Sequence, residues 1–172
     1  ADAQSLMEGA RLTLQASELL ERRADLTAAL ARVSSALQKA PSYGTAHRVR
    51  GQILAAMGRA DEAVAAFLKA DEVSGGDAES LVLAAETRLA DANDREGALE
   101  LYKKVTEKYG QSVMGNIAAG RIAFLNGDWE EATAMGELAR TVDTSMAIAP
   151  LLLGESEFAQ AMLKEGNERR AG

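Results

Sequence analysis

A long internal recurrence limits what this chain can become. The stretch GTAHRVRGQILAAMGRADEAVAAFLKADEVSGGD runs from Gly44 to Asp77, and its skeleton returns sixty-nine residues later, in Val113 to Met146. Gly51 maps onto Gly120, Ile53 onto Ile122 and Gly58 onto Gly127. The pair Glu62-Ala63 maps onto Glu131-Ala132, Ala65 onto Ala134, Ala70 onto Ala139 and Val73 onto Val142. Each copy reads as two short amphipathic helices joined at a glycine turn. Sixty-nine is two periods of about 34 with one residue inserted, and helix-turn-helix units at that period mark an α-solenoid.

The frame divides the chain into four units, at about 10–43, 44–77, 78–112 and 113–146, followed by a capping helix over 146–165. A solenoid unit leans on its neighbours rather than on a central core, so the frame predicts one continuous solenoid domain. Composition agrees with it. Apolar residues make up 47% of the chain but aromatics only 4%, with two prolines, which suits closely spaced helices rich in Ala, Leu and Glu. Small residues at Gly51, Ala63 and Ala70 predict close helix approach, because a larger side chain would hold the backbones apart.

Taken in order, the spacing predicts one helix over Ala3–Arg23, a turn at Ala24-Asp25 with Asp25 as N-cap, and a helix over Leu26–Lys39 stopped by Pro41. Asp61 is a candidate cap for the second helix of the second unit. Ser74-Gly75-Gly76-Asp77 and Asp91-Ala92-Asn93-Asp94 read as turns, and Gly127 as a left-handed C′ residue. Gly154 lies thirty-four residues after Gly120, which makes the last helix the first half of a fifth unit, with Pro150 tolerated in or near its first turn. The tail from Gly166 to Gly172 is expected to fray.

These motifs resemble the tetratricopeptide repeat. In the second unit the matching residues are Gly51, Leu54, Gly58, Ala63, Phe67 and Ala70; in the fourth they are Gly120, Gly127, Trp129, Ala132 and Ala139. The chain departs from the family pattern at His47, Arg50 and Gly136, where the family usually has Trp, Leu and a large residue. The resemblance implies an all-α, right-handed solenoid whose first helices line a concave groove. It carries the groove positions onto Leu14, Glu18 and Glu21; Arg48, Gln52 and Ala55; Val82, Glu86 and Leu89; Met114, Ile117, Arg121 and Phe124; and Leu151, Glu155 and Phe158. The residues implied to bind a partner are Arg48, Gln52, Val82, Glu86, Ile117, Arg121, Phe124, Leu151, Glu155 and Phe158. Apolar members would lose water against a partner, and the charges would set its register. Arg48 and Arg121 are also placed to pair with Glu86 and Glu155 across units. Arg48 and Gln52 stand where some co-chaperones of the family open a Lys/Asn clamp, so that ligand is not indicated.

The implied function is a non-catalytic scaffold or adaptor holding a peptide or amphipathic helix of another protein. The alternatives are a self-associating structural component, or a repeat domain of a larger secretion, envelope or enzyme complex. A homo-oligomer is compatible with each.

Other function classes find little support. With a net charge of −7 and scattered basic residues, the chain lacks the clustered Lys and Arg that phosphate neutralisation draws on. Its longest apolar patch, Met146 to Leu153, contains Pro150 and falls far short of the roughly 18 residues that span a bilayer. There are no cysteines, which excludes disulfides and thiolate chemistry. No metal or cofactor is expected. The lone imidazole, His47, reads as a packing residue without ligand-spaced neighbours. Gly115-x4-Gly120 lacks the Lys-Ser/Thr ending of a phosphate loop. Acidic pairs such as Asp61-Glu62 and Glu130-Glu131 sit at helix starts, where they complement the dipole. The opening Ala-Asp-Ala-Gln fits either a mature end after signal-peptide removal or a piece of a longer protein. The periplasmic or secreted compartments and the cytoplasm are equally compatible.

Overall fold

The computed structural model describes residues 3–20, 23–90, 94–142 and 148–171, with side chains at all of these except 12–20, 23, 24, 148–151 and 165–171. The described residues form nine helices and no strand: α1 (Ala3–Leu20), α2 (Arg23–Lys39), α3 (Gly44–Ala56), α4 (Ala60–Ser74), α5 (Ala78–Ala90), α6 (Arg95–Tyr109), α7 (Val113–Asn126), α8 (Trp129–Val142) and α9 (Ile148–Ala171). This is an all-α repeat solenoid. Its contacts divide into two compact units, Ala1–Ala98 and Leu99–Gly172.

In the first unit α1 packs on α2, α2 on α3, α3 on α4, and α4 on α5. Met7, Ala10, Leu26, Ala29, Val33, Ala36, Ala46, Val49 and Ile53 form one buried cluster, flanked by Leu6, Leu30, Leu37, Tyr43 and Met57. Val33 and Ala36 are three apart, as are Ala46 and Val49, which places each pair on one helix face. Phe67 of α4 lies against Gly51 of α3 and is 1% exposed. A β-carbon on Gly51 would stand 2.6 Å from two carbons of that ring. Carbon atoms at rest sit about 3.5–4.0 Å apart, so the glycine is what admits the ring.

In the second unit α7 packs on α8, and both pack on α9. Gly120 and Gly136 repeat the device. A β-carbon at Gly120 would meet the Leu152 side chain at 2.5 Å, and one at Gly136 would meet that of Leu153 at 2.9 Å. The unusual Gly136 therefore lets α9 settle onto α8.

Turn chemistry closes the helices. Gly58, Gly75 and Gly127 have φ of 73°, 70° and 86°, in the left-handed region that favours glycine. Beside each, a backbone N–H reaches back five residues: Arg59 to Leu54, Gly76 to Asp71 and Asp128 to Ala123, at 2.9–3.0 Å. This is the bond pattern of a Schellman stop. At helix starts, Asp77 accepts from the Ser80 N–H, Asp94 from Gly97 and Ser112 from Gly115, all at 3.1 Å.

Several local expectations need correction. Ala24 and Asp25 lie inside α2, so the turn is not there and Asp25 sits in the first turn rather than at the cap. Asp61 is likewise inside the first turn of α4, whose N-cap position is Arg59 with no side-chain cap bond. In both places the carboxylate gains from the positive end of the helix without capping it. Helix α9 runs on to Ala171 instead of fraying from Gly166. Pro150 does fall in its first turn, where a backbone N–H has no helical partner to lose. Glu21, Asp91-Ala92-Asn93 and Asp143–Met146 lie outside the described residues.

Candidate functional site

In the first unit, residues of α1, α3 and α5 border two adjoining hollows. One, of about 220 Å³, is walled by charged and polar groups, including Glu8 and Arg11 of α1, Arg48 of α3 and Glu79 of α5. The other, of about 740 Å³, is walled mainly by Ala55, Ala56, Ala60, Phe67, Leu83 and Ala90, with Glu86 and Thr87 at its polar edge. Gln52 borders both. The surface along α3 is thus charged toward its N-terminal half and apolar toward its C-terminal end.

The charged half is held by a hydrogen-bond network at the start of α5. Arg48 donates through Nη1 to Asp77 Oδ1 at 3.3 Å and also to Glu79 Oε2. Asp77 accepts from the Ser80 hydroxyl at 2.7 Å, and its own N–H donates to Asp71 Oδ1 at 2.8 Å. The expected Arg48–Glu86 pair is replaced by this arrangement, because the α5 cap brings Asp77 and Glu79 to the guanidinium. His47 is buried, and its Nε2–H donates to the Pro41 carbonyl at 2.8 Å.

In the second unit Arg121 is 3% exposed and pairs with Glu155, thirty-four residues on, in line with the repeat spacing. Phe124 is half-buried and meets Trp129 edge-on, with ring centres 5.0 Å apart. A third hollow, of about 850 Å³, lies between the α7–α8 turn and α9, walled by Asp128, Trp129, Glu130, Glu131, Gln160, Leu163 and Lys164. Sequence reasoning missed it, since only the packing of α9 brings Gln160 and Lys164 beside the turn.

The implied groove residues therefore separate. Arg48, Gln52 and Glu86 line the hollows of the first unit, and Glu155 and Phe158 are accessible on α9. Val82 and Ile117 are 1% and 0% exposed, so they fill the protein's own interior and offer no surface to a ligand. The side chains of Leu14, Glu18 and Leu151 lie outside the described residues. Leu83, one residue from Val82, lines a hollow from α5 together with Ala90. A one-residue error in helical phase turns a side chain by about 100°, enough to exchange wall for core. Among the described residues no helix is long and apolar enough to cross a membrane.

Paired helices, glycine stops at repeat spacing and an accessible face on the first helices define a class of helical-hairpin repeat proteins. The model of the tetratricopeptide repeat family matches residues 14–78 and 87–150, well over half of the chain. The chain belongs to the tetratricopeptide repeat family. Solved structures share the fold at low identity. A chain of the APC/C hetero-tetramer Cut9–Hcn1 is similar at 16% identity and a TM-score of 0.67, over 93% of this chain and 36% of that one. The chain thus spans about a third of that relative's length. The Pseudomonas aeruginosa pilF structure is similar at 14% identity and a TM-score of 0.59, over 92% of this chain and 72% of that one. YrrB, described as a tetratricopeptide repeat protein with an unusual peptide-binding site, is similar at 19% identity and a TM-score of 0.50, over 87% and 76%. No curated protein matches the chain in sequence comparison. Repeats of this family are typically non-catalytic, and the proteins built from them are protein-interaction scaffolds.

Proposed function

We propose that this chain binds an extended peptide or amphipathic helix of another protein along α3 and α5, and that it acts without catalysis as an adaptor within a larger assembly. The observation that carries the reading is the pair of hollows joined at Gln52, one charged and one apolar. A partner segment with a charged end and an apolar end would match both at once. Burying its apolar end against Ala55, Ala56, Leu83 and Ala90 would contribute roughly 25 cal/mol per Å² removed from water. Arg48, Gln52 and Glu86 would set its register. In the second unit the half-buried Phe124 and the accessible Glu155, held in place by the buried Arg121, are the corresponding contacts. The non-catalytic reading is supported by His47, whose ring N–H is committed to a backbone carbonyl.

The test combines Gln52→Ala with Leu83→Glu, checks folding by circular dichroism, and compares partners recovered from native extract by mass spectrometry. Loss of specific wild-type partners is the expected result. Recovery of every wild-type partner by the folded double variant eliminates this wall as the binding surface.

A further inference from the structure

We propose that α9 pairs antiparallel with α9 of a second copy of the chain, through the face turned away from α7 and α8. One side of α9 is already used: Leu152, Leu153 and Ser156 are buried. On the opposite side stand Gly154, Phe158, Ala161 and Met162, at the spacing of one helix face. Phe158 is 68% exposed and Met162 54%, among the most exposed large apolar side chains described. Exposed single apolar residues are ordinary, but a stripe on a helix already apolar on its other side is the pattern of a helix packed from both sides.

The repeat frame shows what this face lacks. Phe158 lies thirty-four residues after Phe124, which is covered edge-on by Trp129 of the returning helix. Gly154 lies thirty-four after Gly120, where a β-carbon would meet Met135 of that returning helix at 3.1 Å. At Gly154 a β-carbon would meet nothing within 4 Å. Helix α9 continues past the point where α7 turns back, so no following helix returns over this face among the described residues.

Charge selects the occupant. Glu157 and Lys164 are exposed, seven residues apart, and therefore lie on the same flank of the stripe about two turns from each other. Neither forms an ion pair among the described residues. A two-fold axis midway between them sets each Glu157 against Lys164 of the other copy, which gives two pairs in one closed, isologous contact. A parallel two-fold pairing puts this flank of the two copies on opposite sides of the contact, so neither pair forms. The small Gly154 and Ala161 allow the axes to approach while Phe158 and Met162 interdigitate. A single helix pair of this size falls at the low end of interface areas, so the dimer is weak and depends on concentration.

Sedimentation equilibrium from about 5 to about 500 µM protomer reads this directly, because a weak dimer is populated only toward the upper end. The wild type is expected to pass from monomer to dimer. Phe158→Glu, on an exposed position, should stay folded and weaken association by at least about tenfold. Glu157→Lys alone and Lys164→Glu alone should each weaken self-association; mixing the two variants, or combining both changes in one chain, should restore it. A wild type that stays monomeric throughout overturns the proposal and leaves the face to a helix of another protein. A dimer that is indifferent to Phe158→Glu, or that the charge-reversed mixture fails to restore, overturns it as well. The Gln52→Ala/Leu83→Glu variant should dimerise normally, which separates this result from the peptide-binding reading.

Discussion

Gly51 and Gly154 occupy equivalent places in the repeat frame, yet the same substitution should act on them in different ways. Replacing either glycine by alanine within a helix favours folding by up to about 1 kcal/mol, because the unfolded chain loses freedom. At Gly154 nothing opposes that gain, since the new methyl meets no atom within 4 Å. At Gly51 the methyl would sit 2.6, 2.6 and 2.9 Å from three carbons of the Phe67 ring. Relief requires movement of about 1 Å by a ring that is 1% exposed and held on all sides. Overpacking of this kind costs about 1–3 kcal/mol. Subtracting one variant from the other cancels the shared helix term and leaves the steric one. Gly51→Ala should therefore be less stable than Gly154→Ala by about 1–3 kcal/mol, with Gly154→Ala more stable than the wild type. Urea unfolding followed by circular dichroism at low micromolar protein, fitted with a common slope, measures the difference. Equal shifts in the two midpoints would refute the claim that glycine at this frame position is held by close helix contact.

Two further predictions test the polar side of the structure. Asp77→Ala removes both the α5 cap and one partner of Arg48, and should lower stability by about 1–2 kcal/mol in the same assay; Asp77→Asn keeps a capping oxygen and should recover most of that, so equal losses would discount the cap. The Glu62 carboxyl is held below its ordinary range, first by the hydrogen bonds from Arg59 at 2.7 Å and then by that residue's charge. With the folded value depressed, its contribution is present at neutral pH and is lost as pH falls through the folded value. The pair is solvent-exposed, so Glu62→Gln should move the neutral-pH melting temperature by no more than about 1 °C. A carboxyl NMR titration of Glu62 with its midpoint at or above the ordinary range would contradict the assignment.

The architecture was legible in the sequence because it follows from local rules. Helical spacing and the glycine stops at Gly58, Gly75 and Gly127 depend on residues within a few turns of one another, and the sixty-nine-residue recurrence repeats that local pattern. The Arg121–Glu155 pair was legible for the same reason: equal positions in successive repeats become neighbours when the repeats stack. Arg48 was harder, since its partners come from the cap of α5 rather than from an equivalent frame position. The candidate wall was legible only in part. Arg48, Gln52 and Glu86 face hollows, whereas Val82 and Ile117 are interior, although the same frame put all five on the groove.

By itself, then, the order of residues determined the repeat length, the helix-turn-helix unit and the places where backbones could come close, since these are matters of spacing and side-chain size. Which apolar residues remained accessible was decided by tertiary packing. Phe124 is partly covered because a helix turns back to bring Trp129 against it, and Phe158 stands open because α9 runs on. The two phenylalanines carry the same side chain at the same frame position; what differs is the neighbour that excludes water from one and leaves it on the other.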